Sequence, residues 1–146
     1  MKLAFYTCFY GSEKNPAFAI PKAPSSTLDC FYYTNNQTIL NALQNTGWIG
    51  VWDDVQTTDD IIEAPLTSAK VRVMPSVYED LKKYDYTCFL DSKLQKVDEV
   101  FVKNFINKFF IQQNYALLLR EHWCVGKFGG NIWEEAYVSM GQSRYR

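Results

Sequence analysis

The residue with the clearest capacity for chemistry is Asp91, which directly follows the apolar run 84–90. This run predicts a buried strand, and a strand that ends in aspartate delivers the carboxylate into the next turn. Such a carboxylate can hold a hard divalent cation that also binds phosphate oxygens. It can equally accept hydrogen bonds from the backbone of the turn itself. Spacing alone leaves both interpretations of Asp91 open.

Three basic residues are candidates for binding a phosphate group: Lys70, Arg72 and Lys93. Lys70 and Arg72 lie two residues apart, so they point to different faces of a predicted helix. One of them could reach a diphosphate at the edge of a sheet, and arginine would bind it with a forked geometry. The alternative is that all three are solvated surface residues.

The C-terminal part of the chain contributes one histidine and an acidic pair. His122 is the only histidine; it follows an apolar run and precedes a glycine-containing loop. It could ligate a metal or bind a phosphate. Glu134 and Glu135 lie early in a predicted helix, where carboxylates interact favourably with the helix dipole. The alternative for this pair is a base that activates an acceptor hydroxyl.

Composition limits the classes of protein to which the chain can belong. The 146 residues, 47% hydrophobic and 21% charged, predict one globular domain over residues 1–146. A net charge of −1 argues against a general nucleic-acid binder. The sequence contains no phosphate-binding GxxxxGK[ST] loop, GxGxxG fingerprint or GxSxG elbow. The lack of these motifs excludes the commonest classes of ATPase, dinucleotide-dependent oxidoreductase and serine hydrolase.

The cysteines and the N-terminal residues bear on the cellular compartment. Cys8, Cys30 and Cys88 lie in apolar, strand-like runs, and no CxxC pair occurs. We expect these three to be reduced and buried thiols. No apolar run approaches the roughly 20 residues of a membrane span, and the first residues read as a strand, not as a signal peptide. We therefore expect a cytoplasmic protein without a membrane span.

Alternating strand-like and helix-like segments must position these residues. Apolar and β-prone runs predict strands at 2–8, 29–34, 47–52, 84–90 and 115–119. Periodicity and capping signals predict helices at about 36–44, 66–81, 98–110 and 131–141. Asn35 or Asn36 can cap the first helix, and Pro75 divides the second into two pieces. This alternation predicts an α/β fold with a mostly parallel central sheet flanked by helices.

In an open α/β sheet, ligands bind beyond the carboxyl ends of the strands. Four segments follow the predicted strands at that edge: 7–11, 34–36, 91–93 and 121–130. They contain most of the unusual polar residues of the chain. We therefore expect the functional site along this edge of the sheet.

Several segments resemble a glycosyltransferase-like family known from plant mucilage- and pectin-related proteins and from bacterial homologues. The segment most similar to the family core is SAKVRVMPSVYEDLKKYDYTCFLDSKL. In the family, a lysine-containing segment leads to a proline and then to a tyrosine-rich strand that ends in aspartate. Three further segments are similar to its strands and to its C-terminal part: KLAFYTCFYG, DCFYYTNN and ALLLREHWCVGKFGGNIWEEAYVSMGQSRY.

The resemblance implies a GT-A-like, Rossmann-like domain, a nucleotide-sugar donor, a glycan or other hydroxyl acceptor, and a divalent metal, Mn²⁺ or Mg²⁺. It carries a role to each matching position. Four residues would border the nucleotide: Tyr6, Thr7, Gly11 and Asn35. The others match the basic positions, the strand-end aspartate, the loop histidine and the acidic pair of the family: Lys70, Arg72, Asp91, His122, Glu134 and Glu135.

The sequence departs from the family pattern next to Asp91. Asp91-Ser92-Lys93 lacks the second carboxylate of a DxD metal motif, and Lys93 could supply positive charge instead. The expected activity is sugar transfer from a nucleotide-sugar. Donor and metal would be held by Asp91, His122, Lys70 and Arg72, and Glu134 or Glu135 would be the base. The alternatives are a non-catalytic sugar- or nucleotide-binding module and an α/β interaction domain without a small ligand.

Overall fold

The computed structural model describes residues 1–56, 59, 63–91 and 97–115. The chain divides into two compact units, Met1–Asn104 and Phe105–Arg146. Within the second unit, only residues 105–115 belong to the described part. The described strands and the candidate site lie in the first unit. The single domain expected over residues 1–146 stays a prediction.

Four parallel strands form the sheet of the first unit. In chain order they are β1 Leu3–Cys8, β2 Cys30–Thr34, β3 Ile49–Trp52 and β4 Tyr86–Phe89. Their order across the sheet is β3-β2-β1-β4, and every pair is parallel. Together with the helices described below, this sheet confirms the predicted α/β fold with a helix-flanked parallel sheet.

The central strand β1 is buried along its whole length. Parallel sheets are covered on both faces, so a central strand reads as a continuous apolar run without polar alternation. The Ala4, Tyr6 and Cys8 side chains belong to one buried cluster, which includes Val71 and Leu81 from the helical segment after β3. The first unit therefore has its core against β1, and the carboxyl end of β1 lies among buried residues.

The first helix, α1, spans Gln37–Ala42 and begins where the sequence predicts. Asn36 is its N-cap, because the side-chain Oδ1 of Asn36 accepts a hydrogen bond from the Ile39 backbone N–H at 3.2 Å. Gly50 of β3 allows α1 to pack closely. A Cβ atom at Gly50 would lie 2.8 Å from Cδ2 of Leu40, which is closer than real Cβ contacts.

The helical segment between β3 and β4 is divided at Pro75, as predicted. Helix α2 spans Glu63–Val73, a 3₁₀ turn covers Pro75–Val77, and α3 spans Glu79–Lys82. Proline suits the first position of a helical turn because that position needs no N–H donor. The chain therefore changes direction directly after the last turn of α2.

The amphipathic helix predicted at 98–110 is present as α4, Glu99–Ile106, followed by a π-helical stretch, Asn107–Gln112. At the start of α4, the Ser25 and Thr27 hydroxyls donate hydrogen bonds to the Glu99 carboxylate. None of the helices in the described ranges is long and apolar enough to cross a membrane.

Some expectations need correction. The run 84–90 predicts a buried strand, but the side chains of β4 are only half-buried. Among the described strands β4 has a single neighbour, β1. A central strand is flanked by a strand on each edge, and β4 is less buried because it is flanked on one edge. Cys8, Cys30 and Cys88 are free as predicted, but Cys88, on β4, is half-buried for the same reason.

Two predicted elements fall at the end of the described residues. Tyr115, the first residue of the strand expected at 115–119, is exposed and is not part of a strand. The rest of that strand and the helix expected at 131–141 lie outside the described residues.

Candidate functional site

The four strands place their carboxyl ends along one edge of the sheet because they are all parallel. The chain adds β2 and then β3 on one side of β1, and β4 lies on the other side. The strand order therefore reverses between β1 and β4, and in open α/β sheets a ligand crevice forms where the order reverses. The segments that leave β1 and β4 are consequently the first places to look for a site.

A cleft of about 300 Å³ opens at this point. Its polar lining comes from Asn15, Ser68, Arg72 and Asp91, and its remaining lining is mainly aromatic and aliphatic. The volume lies at the lower end of the range for small-molecule sites, and a few polar groups in a largely apolar wall are typical of them. The cleft is therefore the best candidate for a ligand site among the described residues.

Helix α2 provides one wall of the cleft. Ala64, Ser68 and Arg72 recur every four residues, so they share one face of the helix, and all three line the cleft. Lys70 and Arg72 are both exposed, but Lys70 is not among the lining residues. The prediction that Lys70 and Arg72 point to different faces is therefore confirmed, and Arg72 is the one that reaches the cleft.

The Arg72 guanidinium lies against an aromatic ring of β4. Its central carbon is 5.9 Å from the centre of the Phe89 ring, within the range of a cation–π interaction. The backbone carbonyl of Arg72 accepts a hydrogen bond from the Tyr6 hydroxyl at 3.1 Å. Burial raises the pKa of Tyr6 to about 12, so this hydroxyl stays protonated and able to donate.

Asp91 lies at the mouth of the cleft, two residues beyond the end of β4. Two hydrogen bonds from β1 hold the residue before it. The Leu90 backbone N–H donates to the carbonyl of Tyr6 at 2.9 Å, and the Thr7 hydroxyl donates to the carbonyl of Leu90 at 2.6 Å. The carboxylate of Asp91 is therefore exposed on a backbone that β1 fixes in place.

Tyr6 and Thr7 do not line the cleft themselves. Both are buried, and their hydroxyls bond to the carbonyls of Arg72 and Leu90. The structure thus connects both residues to Arg72 and Asp91 through the backbone. Direct contact of Tyr6 and Thr7 with a nucleotide stays a prediction from the resemblance.

Gly11 and Asn35 also lie close together, and they form a hydrogen bond with each other. The Gly11 N–H donates to Oδ1 of Asn35 at 3.2 Å, and Nδ2 of Asn36 donates to the Gly11 carbonyl at 3.0 Å. The φ of Gly11 is 110°, a conformation that favours glycine. Nδ2 of Asn35 donates to the carbonyl of Val55 at 2.8 Å. This hydrogen-bonded group closes the edge of the sheet beyond β2 and β3.

Asp53 belongs to the same closed region and was not among the predicted site residues. Its Oδ2 accepts hydrogen bonds from the Tyr10 hydroxyl at 2.6 Å and from the Tyr78 hydroxyl at 3.4 Å. Burial, followed by the bond to Asp53, raises the pKa of Tyr10. The sequence feature that could have identified Asp53 is an aspartate directly after a strand, the same feature that identified Asp91.

Three further cleft residues were not predicted individually from the sequence: Cys8, Asn15 and Ser68. Cys8 contacts Ser68 through its thiol, whose Sγ lies 3.7 Å from the Ser68 carbonyl oxygen. Burial raises the pKa of Cys8 to about 12, so its thiol is not a nucleophile at neutral pH. Ser68 could have been found from its spacing of four residues before Arg72, once Arg72 was assigned to a site.

The described residues do not by themselves form a metal site. Residues 1–56, 59, 63–91 and 97–115 contain no group of three histidine, cysteine or acidic residues that could hold a metal ion. Among the described residues, Asp91 is the one carboxylate that lines the cleft. Four predicted site residues lie outside the described part: Lys93, His122, Glu134 and Glu135. The divalent metal stays a prediction, and no chemical step is derived through it.

The chain was compared with known proteins at the levels of family, sequence and structure. No protein-family model, no curated protein and no solved structure matches it.

Proposed function

We propose that the cleft binds the diphosphate of a nucleotide-sugar and that the protein transfers the sugar to a glycan or another hydroxyl acceptor. The observation that carries this proposal is the position of Arg72. It lines a cleft at the point where the strand order reverses, with Asp91 at the same cleft. A guanidinium in such a cleft suits a ligand with two neighbouring phosphate groups.

The reaction requires stabilisation of a leaving group. The bond between the anomeric carbon and a diphosphate oxygen breaks, and the anomeric carbon forms a bond to the acceptor oxygen. The diphosphate gains negative charge during this step, and a fixed positive group near it lowers the barrier. Of the cleft-lining residues that the structure describes, Arg72 is the one with that charge.

The acceptor hydroxyl must lose its proton in the same reaction. A carboxylate within reach of the acceptor can take it as a general base. Asp91 is the candidate for this role within the described cleft. Glu134 and Glu135, which the resemblance suggests, are the candidates outside the described residues.

The apolar part of the cleft suits the remainder of the donor. Phe9, Ala17 and Pro65 line it and offer apolar surface to the sugar and base rings. A glycan acceptor, a cytoplasmic location and the absence of nucleic-acid partners remain parts of the proposal that come from the sequence alone.

A non-catalytic binding module is the second candidate. The specific observation in its favour is that the described cleft contains one carboxylate, Asp91, where sugar transfer calls for a base and often for a metal ligand too. Such a module would bind the nucleotide-sugar but would neither hydrolyse nor transfer it.

Calorimetric titration with UDP and GDP, each with and without Mn²⁺, tests the binding step. We expect binding, and we expect Arg72→Gln to weaken it by at least about tenfold. Lys70→Gln is the matched control, because Lys70 is a basic residue on the same helix that does not line the cleft. If the wild-type protein bound neither nucleotide at millimolar concentration, both candidate functions would be refuted.

Incubation with UDP-sugars and GDP-sugars separates the two candidates. Release of free sugar or its transfer to an added glycan supports the enzyme. Binding without hydrolysis or transfer across a panel of acceptors supports the binding module.

A further inference from the structure

We infer that Tyr6 and Phe89 are positioning residues that fix the Arg72 guanidinium in the cleft, an inference that rests on the proposed function for its ligand. The two residues are direct register partners on β1 and β4. They occupy the strands between which the strand order reverses. The pair therefore lies where Arg72 approaches the sheet.

Phe89 holds the side chain of Arg72. The guanidinium carbon lies 5.9 Å from the centre of the Phe89 ring. The Phe89 ring in turn packs edge to face against the Tyr6 ring, with the ring centres 5.3 Å apart and the planes at 70°. The aromatic face beneath the guanidinium is thus fixed by a second ring that is itself buried.

Tyr6 also holds the backbone of Arg72. Its hydroxyl donates to the Arg72 carbonyl in the last turn of α2. Carbonyls in the last turn of a helix have no partner within the helix and need one from elsewhere. Tyr6 therefore fixes the end of α2 against β1.

The side chain and the backbone of Arg72 are thus held by two residues that contact each other. This arrangement reduces the freedom that a long side chain would lose on binding a ligand. Preorganised positive charge is also what a departing diphosphate requires. The Tyr6 hydroxyl should consequently affect diphosphate binding although it does not line the cleft.

Inorganic pyrophosphate is the probe for the test, with calorimetric titration as the readout. We expect Tyr6→Phe, which keeps the ring and removes the hydroxyl, to weaken binding by about fivefold. In the Arg72→Gln background, Tyr6→Phe should have no further effect, because the group that it positions is absent. Phe89→Leu should behave in the same way and serves as the second variant if Tyr6→Phe folds poorly.

Tyr32→Phe is the matched control. Tyr32 is as buried as Tyr6, and its hydroxyl also donates to a backbone carbonyl, that of Ala19, at 3.0 Å. Tyr32 does not line the cleft. We expect Tyr32→Phe to lower the melting temperature about as much as Tyr6→Phe does and to leave pyrophosphate affinity unchanged.

The NMR signal of the Arg72 side-chain Nε–Hε group, assigned with Arg72→Lys, provides a readout that needs no ligand. We expect Tyr6→Phe, which keeps both aromatic rings, to move this signal and Tyr32→Phe to leave it in place. Phe89→Leu removes the ring current that acts on this group, so its effect is judged by titration alone. Equal losses of affinity in both Arg72 backgrounds, or a signal that Tyr6→Phe does not move, would overturn the inference. A wild-type protein that binds no pyrophosphate would refute the proposed function, and the NMR signal would still decide whether Tyr6 positions Arg72.

Discussion

The two halves of the carboxyl edge of the sheet use their polar residues differently. Beyond β2 and β3, Asn35 and Asp53 bond to other residues of the chain: Asn35 to Gly11 and Val55, and Asp53 to the Tyr10 hydroxyl. Beyond β1 and β4, Arg72 and Asp91 line a cleft. We call the first half, which these hydrogen bonds close, the closed half, and the second half, which contains the cleft, the open half. Tyr10 belongs to both, because its hydroxyl bonds to Asp53 and the residue also lines the cleft.

The difference follows from the order of the strands. Neighbouring strands that follow one another along the chain, such as β2 and β3, leave no gap between the segments that extend from them. The chain reaches β4 only after it crosses back over the sheet, so the segments after β1 and β4 diverge. Residues of the same chemical type therefore have a structural role at one half of the edge and a candidate binding role at the other.

The largest expected effect is a decrease in the free energy of unfolding when Asp53→Ala removes a hydrogen-bond acceptor from the closed half. This substitution leaves the hydroxyl of Tyr10, which is 1% exposed, without its acceptor. A buried donor left without a partner costs about 2–3 kcal/mol when the lost acceptor is charged. Urea denaturation should show this decrease in the free energy of unfolding. Because Tyr10 also lines the cleft, UDP affinity should change as well, but by less than the free energy of unfolding.

Asp54→Ala is the matched control for this prediction, because Asp54 is the exposed neighbour of Asp53. It should change the free energy of unfolding by no more than about 0.5 kcal/mol. If Asp53→Ala weakened nucleotide binding and left stability unchanged, the closed half would instead be part of the binding site.

The local parts of the fold were predictable from the sequence. The apolar run of β1, the Asn36 cap of α1 and the break at Pro75 all depend on residues close together in the chain. Periodicity, capping and proline chemistry are local signals, and the structure agrees with them.

The division of the edge into a closed and an open half was not predictable. Both Asp53 and Asp91 directly follow strand-like runs, so their local sequence signals are alike. Their environments differ because Tyr10 and Tyr78, which are distant in sequence, reach Asp53. The order of strands in the sheet, which decides such contacts, leaves no mark on the local pattern.

The second effect in size concerns the open half and the substitution Asp91→Asn. If the carboxylate binds a metal or balances the charges around a diphosphate, its removal should lower UDP affinity in Mn²⁺ by at least tenfold, about 1.4 kcal/mol. Asparagine keeps the ability to accept a backbone hydrogen bond, so folding should change little. A donor titration and a melting curve of the same variant measure both quantities.

Asp85→Asn is the control for Asp91→Asn, because Asp85 is an exposed aspartate that precedes β4, at the opposite end of the strand. Its carboxylate accepts a hydrogen bond from the Lys2 backbone at 2.7 Å. Asp85→Asn should leave UDP affinity unchanged. Unchanged affinity in a folded Asp91→Asn protein would remove Asp91 from the proposed site.

A smaller effect is expected in the closed half from Asn36→Ala. The substitution removes the N-cap of α1 and the bond to the Gly11 carbonyl. Loss of an N-cap typically costs about 1 kcal/mol. Gln37→Ala, one residue further into the helix, should cost less because Gln37 is exposed. Thermal melts compare the two variants, and an equal decrease in both would show that the Asn36 cap has no special role.

The smallest effect concerns the reactivity of Cys8, a residue of the open half whose thiol is buried. Burial raises its pKa to about 12; the nearby charge of Arg72 lowers the pKa and that of Asp91 raises it, both to smaller extents. Only the thiolate reacts with iodoacetamide, so labelling of native Cys8 should be slow at neutral pH and should accelerate as the pH rises toward that pKa.

At about pH 9, Arg72→Gln should slow Cys8 labelling and Asp91→Asn should accelerate it, each by less than about threefold. Mass spectrometry of the Cys8 peptide measures the rates, with Lys70→Gln and Asp85→Asn as controls. Changes of the same sign in both cleft variants would mean that Cys8 responds to altered packing, and that the two opposite charges do not act on it separately.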